Sequence, residues 1–340
     1  MAKIRMGIVG CGGMAGAHAG RYLRNPDVAI VACCDLTTAI AEKFIATHLS
    51  QLDPKPAVYT DTASMYRQSH LDAVTIVTPH TLHFAQGMEA LDANCHVLME
   101  KPMVTAADQA HQLDAKAKAS QKIFVIGYNT PCTPEFAYLR EQIRTRSLGR
   151  LELVSGYLTQ NWLRGTMGKW RQDPALSGGG QAYDSGAHLL NSLVWSVESD
   201  IAEVFAFVDN HGTRVDINSS INIRFENGVL ASIIIGGNCP ADGASMHFIF
   251  DDGRIDVDGW GGSWINIFKG NQKVKYPPIA GIANTPNDNF IDAILGRAEP
   301  RTSTANGIAQ SELMDAIYES ARTGRPARPA SRHQVGSSRS

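Results

Sequence analysis

Long hydrophobic runs are missing from this 340-residue chain. No segment stays apolar for the roughly 18 residues that a membrane-spanning helix needs. Met1 to Val9 is a strand-like run with two basic residues, not a charged region followed by an apolar stretch and a cleavage site. Neither export nor a membrane span is expected, and a cytoplasmic location is. An excess of one charge is also absent. Lys and Arg number 31 against 33 Asp and Glu, a formal net charge of -2, and the basic residues are scattered except for an Arg-containing C-terminal tail. This excludes the electrostatic footprint of a nucleic-acid or anionic-membrane binder and leaves a small molecule as the expected partner. Cysteine is sparse: the six form no C-x-x-C, and no Cys/His pair has the spacing of structural zinc, so no metal is expected. Reduced thiols fit, and Cys33 and Cys34, inside the apolar run Val28 to Cys34, read as small core hydrophobes. Internal repeats are absent too.

What is present is an alternation of short apolar runs with amphipathic stretches. Ile4 to Val9, Val28 to Cys34, Ala73 to Val77, His96 to Met99 and Ile123 to Ile126 read as buried strands. Helical patterns fall near Met14 to Leu23, Thr38 to His48, Leu82 to Ala93 and Thr105 to Ser120. Such βαβ units predict a doubly wound parallel sheet. Beyond Thr133 a helix (Pro134 to Arg146) precedes strands of period two: Leu151 to Thr159, Val215 to Phe225, Val229 to Gly236, Met246 to Asp251 and Ile265 to Lys269. Asn227-Gly228 and Asp252-Gly253 mark tight hairpins, so a meandering, mainly antiparallel sheet with helices on one face is expected. The fold class is thus α/β followed by α+β: a dinucleotide-binding domain over 1–128, a substrate and oligomerisation domain with a large open sheet over 129–323, and a flexible tail over 324–340. A last helix is placed near Thr304 to Arg322.

Gly10-Cys11-Gly12-Gly13-Met14-Ala15 follows the first strand and opens a helix, the context that gives G-x-G-x-x-A its meaning. Gly10 permits the tight turn, Gly12 and Gly13 let backbone approach a pyrophosphate, and Ala15 allows close helix–strand packing. Asp35 ends the second strand 20 residues after Ala15, where a carboxylate accepts hydrogen bonds from ribose hydroxyls. Its charge repels a 2′-phosphate and no Arg follows in Leu36-Thr37-Thr38, so NAD is expected over NADP. As an alternative role, Asp35 would cap the helix beginning at Thr38.

Two further segments carry chemistry: Glu100-Lys101-Pro102 after the fifth strand, and Trp170-Arg171 followed by Gly178-Gly179-Gly180-Gln181-Ala182-Tyr183-Asp184-Ser185-Gly186-Ala187-His188. With the glycine fingerprint they resemble the glucose-fructose oxidoreductase, inositol dehydrogenase and rhizopine-catabolism (Gfo/Idh/MocA) family, over about residues 3 to 323. The resemblance implies a Rossmann domain, an open-sheet domain often used to oligomerise, and NAD(P)-dependent alcohol/ketone chemistry. Lys101 matches the catalytic lysine of that family's E-K-P, and Asp184 and His188 match its D-x-G-x-H segment.

Oxidising a secondary alcohol needs a base for the hydroxyl proton, a positive group for the developing alkoxide and a nearby hydride acceptor. Taken singly, a lysine after a strand is ordinarily a solvated charge and a helical Asp/His pair a surface pair. Together they suggest His188 as general acid/base, Lys101 as electrostatic partner and Asp184, at i and i+4 with His188 on one predicted helix, as its positioner. Gly178 to Gly180 would let backbone lie close to a ligand.

The resemblance also places Thr78, Pro79, His80 and His83 beside the nicotinamide ribose, with His80 where the family usually has Asn, and puts Met14, Glu100, Trp170 and Arg171 near the cofactor; the alternative for His83 is to cap or pack in the following helix, and for Trp170 and Arg171 to form a stack that serves structure alone. It implies a cis bond before Pro102. Substrate contacts are expected from Lys101, Asn129, Tyr157, Asp184, His188 and Asn191. Two positions depart from the family: Pro131 and Cys132 replace an Arg and a Phe, and Asn191 replaces an Asp common in inositol-oxidising members, which disfavours a plain inositol dehydrogenase. The leading function is hydride transfer to or from a sugar, cyclic polyol or derivative by a homodimer or homotetramer. The alternatives are a redox-assisted glycosidase, recognised by turnover without net NADH, and a non-catalytic sensor or corepressor, which intact Lys101 and His188 oppose.

Overall fold

The computed structural model describes residues 2–278 and 285–329. The chain begins β1 (Ile4–Val9), α1 (Gly13–Leu23), β2 (Val28–Cys34), α2 (Thr38–His48), β3 (Ala57–Tyr59), α3 (Thr62–Ser69), β4 (Ala73–Ile76), α4 (His83–Asp92), β5 (His96–Met99), α5 (Ala107–Ser120) and β6 (Phe124–Ile126). Next come α6 (Pro134–Thr145), β7 (Leu151–Thr159), α7 (Trp162–Gly165), α8 (Pro174–Ser177), α9 (Gly186–Val197), β8 (Ile201–Asp209), β9 (Asn218–Phe225) and β10 (Leu230–Gly236). The remainder is β11 (Gly243–Phe250), β12 (Gly253–Val257), β13 (Ile265–Lys269), β14 (Gln272–Val274), α10 (Pro286–Ile294) and α11 (Thr304–Thr323).

The described residues of 1–133, 175–178 and 281–308 form one compact unit, and those of 134–174, 179–280 and 309–340 form the other. A contiguous division at 128/129 leaves out the two later stretches that join the first unit.

In the first unit six parallel strands take the order β3-β2-β1-β4-β5-β6. Strand order reverses between β1 and β4, so their C-terminal ends open the crevice where doubly wound sheets bind ligands. Every residue of β4 is buried, as befits a central strand covered on both faces. Ala15 and Ala19 of α1, Phe44 and Ile45 of α2 and Phe290 and Ile291 of α10 share one core with β1 and β2. β3, α3 and α10 are not among the elements expected from sequence. Three-residue β3 is too short to display a period. α3 is set by Asp61, whose carboxylate caps Ser64 N–H at 2.7 Å, and α10 by Thr285 in the same role followed by Pro286.

The second unit holds an eight-stranded sheet in the order β14-β13-β12-β11-β7-β10-β9-β8. It is not the simple meander expected. β7 lies between two meanders, parallel to β10 and antiparallel to β11, because the chain passes through α7, α8 and α9 before returning as β8. The Asn227-Gly228 hairpin joins β9 to β10 with Gly228 at φ +90°. Val154 and Leu158 of β7, Ile233 and Ile235 of β10, and Phe248 of β11 point inward onto Leu139 of α6, Leu190 and Leu193 of α9 and Ile317 of α11. The alternate residues Leu153, Tyr157, Leu230 and Ile234, with Phe207 of β8, face out and are exposed.

Of the flexible tail expected over 324–340, the described part is held to the second sheet. Ala327 exchanges two backbone hydrogen bonds of 2.8 Å with Val204 and is buried. Residues 330–340 lie outside the described residues.

Candidate functional site

Gly10 stands at the end of β1 with φ +86°, and a Cβ there would lie 2.7 Å from the Val77 carbonyl, so the turn demands glycine. Gly12 is the N-cap of α1 and offers no side-chain cap, while Cβ atoms built on Gly12 and Gly13 meet nothing within 4 Å. The space beside Gly12 and Gly13 at the start of α1 is therefore open and bordered by half-open Met14, as an approaching pyrophosphate requires. Ala15 is fully buried against the sheet.

Asp35 follows β2. Its Oδ2 accepts the Cys11 N–H at 2.6 Å and its Oδ1 accepts the Leu36 N–H at 2.7 Å, fixing the carboxylate beside the glycine turn. It does not cap α2: that role belongs to Thr37, which accepts from Ile40 N–H. An anchored acceptor at this point fits ribose hydroxyls, so the open helix end and Asp35 together fit NAD.

After β4, Pro79 leads into a short 3-10 turn (His80–Leu82). Thr78 Oγ1 donates to Gln86 at 2.5 Å, and buried His80 places Nδ1 2.9 Å from the Ser177 carbonyl. His83 is fully buried, as its packing alternative has it. Its ring nitrogens lie 2.7 Å from the Pro102 carbonyl and 2.9 Å from the Thr78 carbonyl. It ties the turn after β4 to the segment after β5, and burial holds its pKa below the usual imidazole value. Lys101 follows β5, and the Lys101–Pro102 bond is cis. Glu100 is buried: its Oε1 meets His18 Nε2 at 2.8 Å, its Oε2 accepts the Lys101 N–H at 3.1 Å, and His18 Nδ1 meets Asn287 Oδ1 at 3.1 Å. His18 and Asn287 have no counterpart in the sequence reading, since they lie 82 and 187 positions from Glu100. Half-buried Asn129 precedes a 3-10 turn over Thr130–Cys132.

In the second unit the segment preceding α9 differs from the expectation in two ways. Asp184 is not on the helix. α9 starts at Gly186, and Asp184 closes a turn whose N–H bonds to the Gly180 carbonyl at 2.9 Å. Its buried Oδ2 accepts the Trp162 Nε1–H at 2.8 Å and the Arg171 Nε–H at 2.9 Å. Arg171 in turn lies over the Trp170 ring at 4.4 Å. The glycines, read as room for a ligand, are in the case of Gly180 room for the protein itself: a Cβ there would fall 1.9 Å from the Asp216 carbonyl. The Asp216 carboxylate accepts from Gly180 N–H at 2.6 Å, Ala182 N–H at 2.7 Å and Tyr318 OH at 2.5 Å. Asp216 thereby pins the loop that carries Asp184. Nothing in the run Arg214-Val215-Asp216 advertised this.

His188 lies in the first turn of buried α9, its ring centroid 4.8 Å from that of Trp260. One turn on, Asn191 is fully buried, and neither its amide oxygen nor its nitrogen has a hydrogen-bond partner among the described residues. Such a group costs about 1–3 kcal/mol until something bonds it. Tyr157 is exposed on the outer face of β7. Trp162 and Trp260 were missed from sequence. The signal for Trp260 was its setting in Gly259-Trp260-Gly261-Gly262, a large aromatic where a turn would place polar residues. No group of three or more His, Cys, Asp or Glu is arranged to hold a metal among the described residues, and no helix there is long and apolar enough to cross a membrane.

A model described as oxidoreductase family, NAD-binding Rossmann fold (GFO_IDH_MocA) matches residues 4–128, and the GFO/IDH/MocA C-terminal domain matches residues 136–262. The chain is 24% identical over 342 residues to an inositol 2-dehydrogenase of Rubrobacter xylanophilus, covering 95% of this chain and 92% of that one. It is 26% identical over 197 residues to the D-glucoside 3-dehydrogenase of Escherichia coli, 56% of this chain and 53% of that one. The WlbA dehydrogenase from Bordetella pertussis, solved with NADH and UDP-GlcNAcA, shares the fold with a TM-score of 0.83 at 22% identity, covering 96% of this chain and 98% of that one.

Proposed function

Because this chain belongs to the Gfo/Idh/MocA oxidoreductase family, we propose that it moves a hydride between NAD(H) and a secondary hydroxyl or ketone of a sugar, a cyclic polyol or a derivative. The observation that carries this reading is that the polar groups the reaction needs sit at the ends of ordered elements. Lys101 follows β5, His188 stands in the first turn of α9, and Asp184 is clamped by Trp162 and Arg171. A sensor that had lost catalysis would have no use for that clamp.

When bound, the nicotinamide supplies the hydride acceptor or donor. His188 takes the hydroxyl proton as the alcohol is oxidised and returns it in the reverse direction. The Lys101 ammonium lowers the energy of the alkoxide that forms between the two transfers. Asp184, its Oδ2 already held by two donors, orients the imidazole or a neighbouring substrate hydroxyl with little freedom left to lose. Asn191 supplies the amide for a further hydroxyl or a bridging water. Asp35 selects NAD over NADP. We place the protein in the cytosol, where five buried free thiols (Cys11, Cys33, Cys34, Cys95 and Cys132) stay reduced, and as a homodimer or homotetramer joined through the outer sheet face.

The test is NADH absorbance over a panel of inositols, aldoses and 3-keto sugars with either cofactor. Lys101→Ala and His188→Ala should each lower kcat by at least about 100-fold with NAD affinity nearly unchanged. Near-normal turnover in either variant removes that residue's role, and product formed without net NADH points instead to redox-assisted glycoside cleavage.

A further inference from the structure

The second unit holds a cavity of about 660 Å³ between the ends of β7 and β11 and the loop after β12. Tyr157, Trp260 and Trp264 line it, and they remain 43%, 41% and 39% exposed. Large aromatic side chains gain most from burial, so three left open around one hollow is a costly arrangement unless something covers them.

The loop that carries the two tryptophans is a built structure. The Asp258 N–H bonds to the Trp264 carbonyl at 3.0 Å and closes its neck. The Asp258 carboxylate accepts from Trp260 N–H at 2.9 Å, Ser263 N–H at 3.0 Å and Ser263 Oγ at 2.7 Å. The loop is seated on α9: a Cβ on Gly259 would lie 2.6 Å from Leu189, the residue after His188. Trp260 is therefore a shared wall, with its ring against His188 at 4.8 Å and also lining the cavity.

The lining chooses the ligand. A pyranose presents an apolar C–H face and a rim of hydroxyls, and it is met here by aromatic faces with Gln160, Asp242 and Asp258 around them. No Lys or Arg lines the cavity and two carboxylates do, so a phosphate or nucleotide would meet repulsion rather than a partner. The volume falls within the range of clefts that enclose ligands larger than one sugar ring. Resting on the sugar-dehydrogenase reading above, we propose that this cavity binds the second, uncharged ring of a glycoside whose first ring is the one oxidised at His188.

The experiment compares glucose, methyl glucoside, α- and β-linked disaccharides, p-nitrophenyl glucosides and UDP-glucose on the intact protein, wild type and Trp264→Ala or Trp264→Phe. Initial rates and tryptophan fluorescence are both read. The proposal expects glycosides to be favoured over glucose, and Trp264→Ala to lower the glycoside-to-glucose ratio of kcat/KM about tenfold, through KM. Trp264→Phe should retain most of that ratio. An equal loss for glucose and glycosides, or a preference for UDP-glucose, overturns the second-ring site and leaves the dehydrogenase reading standing. Saturable, Trp264-dependent quenching by a disaccharide without NADH formation keeps the site and removes the dehydrogenase reading. Neither quenching nor turnover removes both. If Trp264→Ala converts an oligomer to a monomer in size-exclusion chromatography, a second copy covers the cavity and the proposal fails.

Discussion

At the scale of the residue, the sharpest local constraint is Asp35. Its two oxygens are spoken for by the backbone N–H groups of Cys11 and Leu36, and each retains lone pairs for ribose hydroxyls. A 2′-phosphate there would meet a fixed negative charge with no cation in Leu36-Thr37-Thr38 to offset it. Asp35→Ser should weaken NAD binding by about tenfold and raise the NADP-to-NAD ratio of affinities by at least as much, a range set by losing one charged hydrogen-bonding partner. Fluorescence titration with both cofactors measures it, and an unaltered ratio would take Asp35 out of cofactor selection. Residues such as Gly10 and Asp35 were legible because a tight turn and a strand end constrain them by their immediate neighbours. His83 was not. It sits in the expected loop, yet its ring turns inward to two carbonyls, and no one-dimensional pattern reports which way a side chain turns.

At the scale of the element, β5 carries a pH dependence. His96 opens this strand, and its Nδ1 accepts the Ile123 N–H at 2.9 Å, which requires the neutral ring. Burial, aided by the nearby Lys122 charge, pushes its pKa down to about 4. The unfolded chain takes up that proton near pH 6.5 and the folded one only near pH 4. The stabilisation is therefore present in full above pH 6.5 and lost as pH falls from there toward 4. Solvent screening of the partly buried ring reduces the loss over that window to about 1–2 kcal/mol. His83, also held low by burial, adds in the same direction. Urea denaturation between pH 7.5 and 5 should show a shallower loss for His96→Asn than for the wild type, and parallel curves would mean that His96 does not contribute. Strands and helices of ordinary length were legible from their periods, and α2 matches its expected bounds of Thr38 and His48. Asp184 was placed on a helix because D-x-G-x-H has helical spacing. It is held off the helix by the Asp216 carboxylate and by Trp162, contacts that spacing cannot contain.

At the scale of the whole molecule, the outer face of the eight-stranded sheet carries exposed apolar side chains. Ile234 on β10 is in register with Ser220 on β9, and Ser220 with Phe207 on β8, so large apolar side chains stand open on β10 and β8 with a serine between them. Exposed apolar side chains of this kind are where the copies of the proposed oligomer would meet. Ile234→Asp, at the most open large hydrophobic of β10, should convert a dimer or tetramer to a monomer in light scattering at micromolar concentration with the far-UV spectrum retained. A wild-type monomer under the same conditions would sink the oligomer.

The sequence by itself determined what neighbouring residues decide. These are the strand–glycine turn–helix that fits a pyrophosphate, the carboxylate after β2, the alternation that makes one sheet parallel and the other mainly antiparallel, and the short motifs that carry Lys101, Asp184 and His188. Tertiary structure alone decided the rest: β7 lying between β10 and β11, α10 joining the first core from near the end of the chain, Asp216 closing over the glycine loop, and Trp260 against His188. The physical reason is distance along the chain. Periods, caps and turns act over a few residues and leave a mark in the order of amino acids, whereas a contact between residues tens or hundreds of positions apart is set by which surfaces the folded elements bring together.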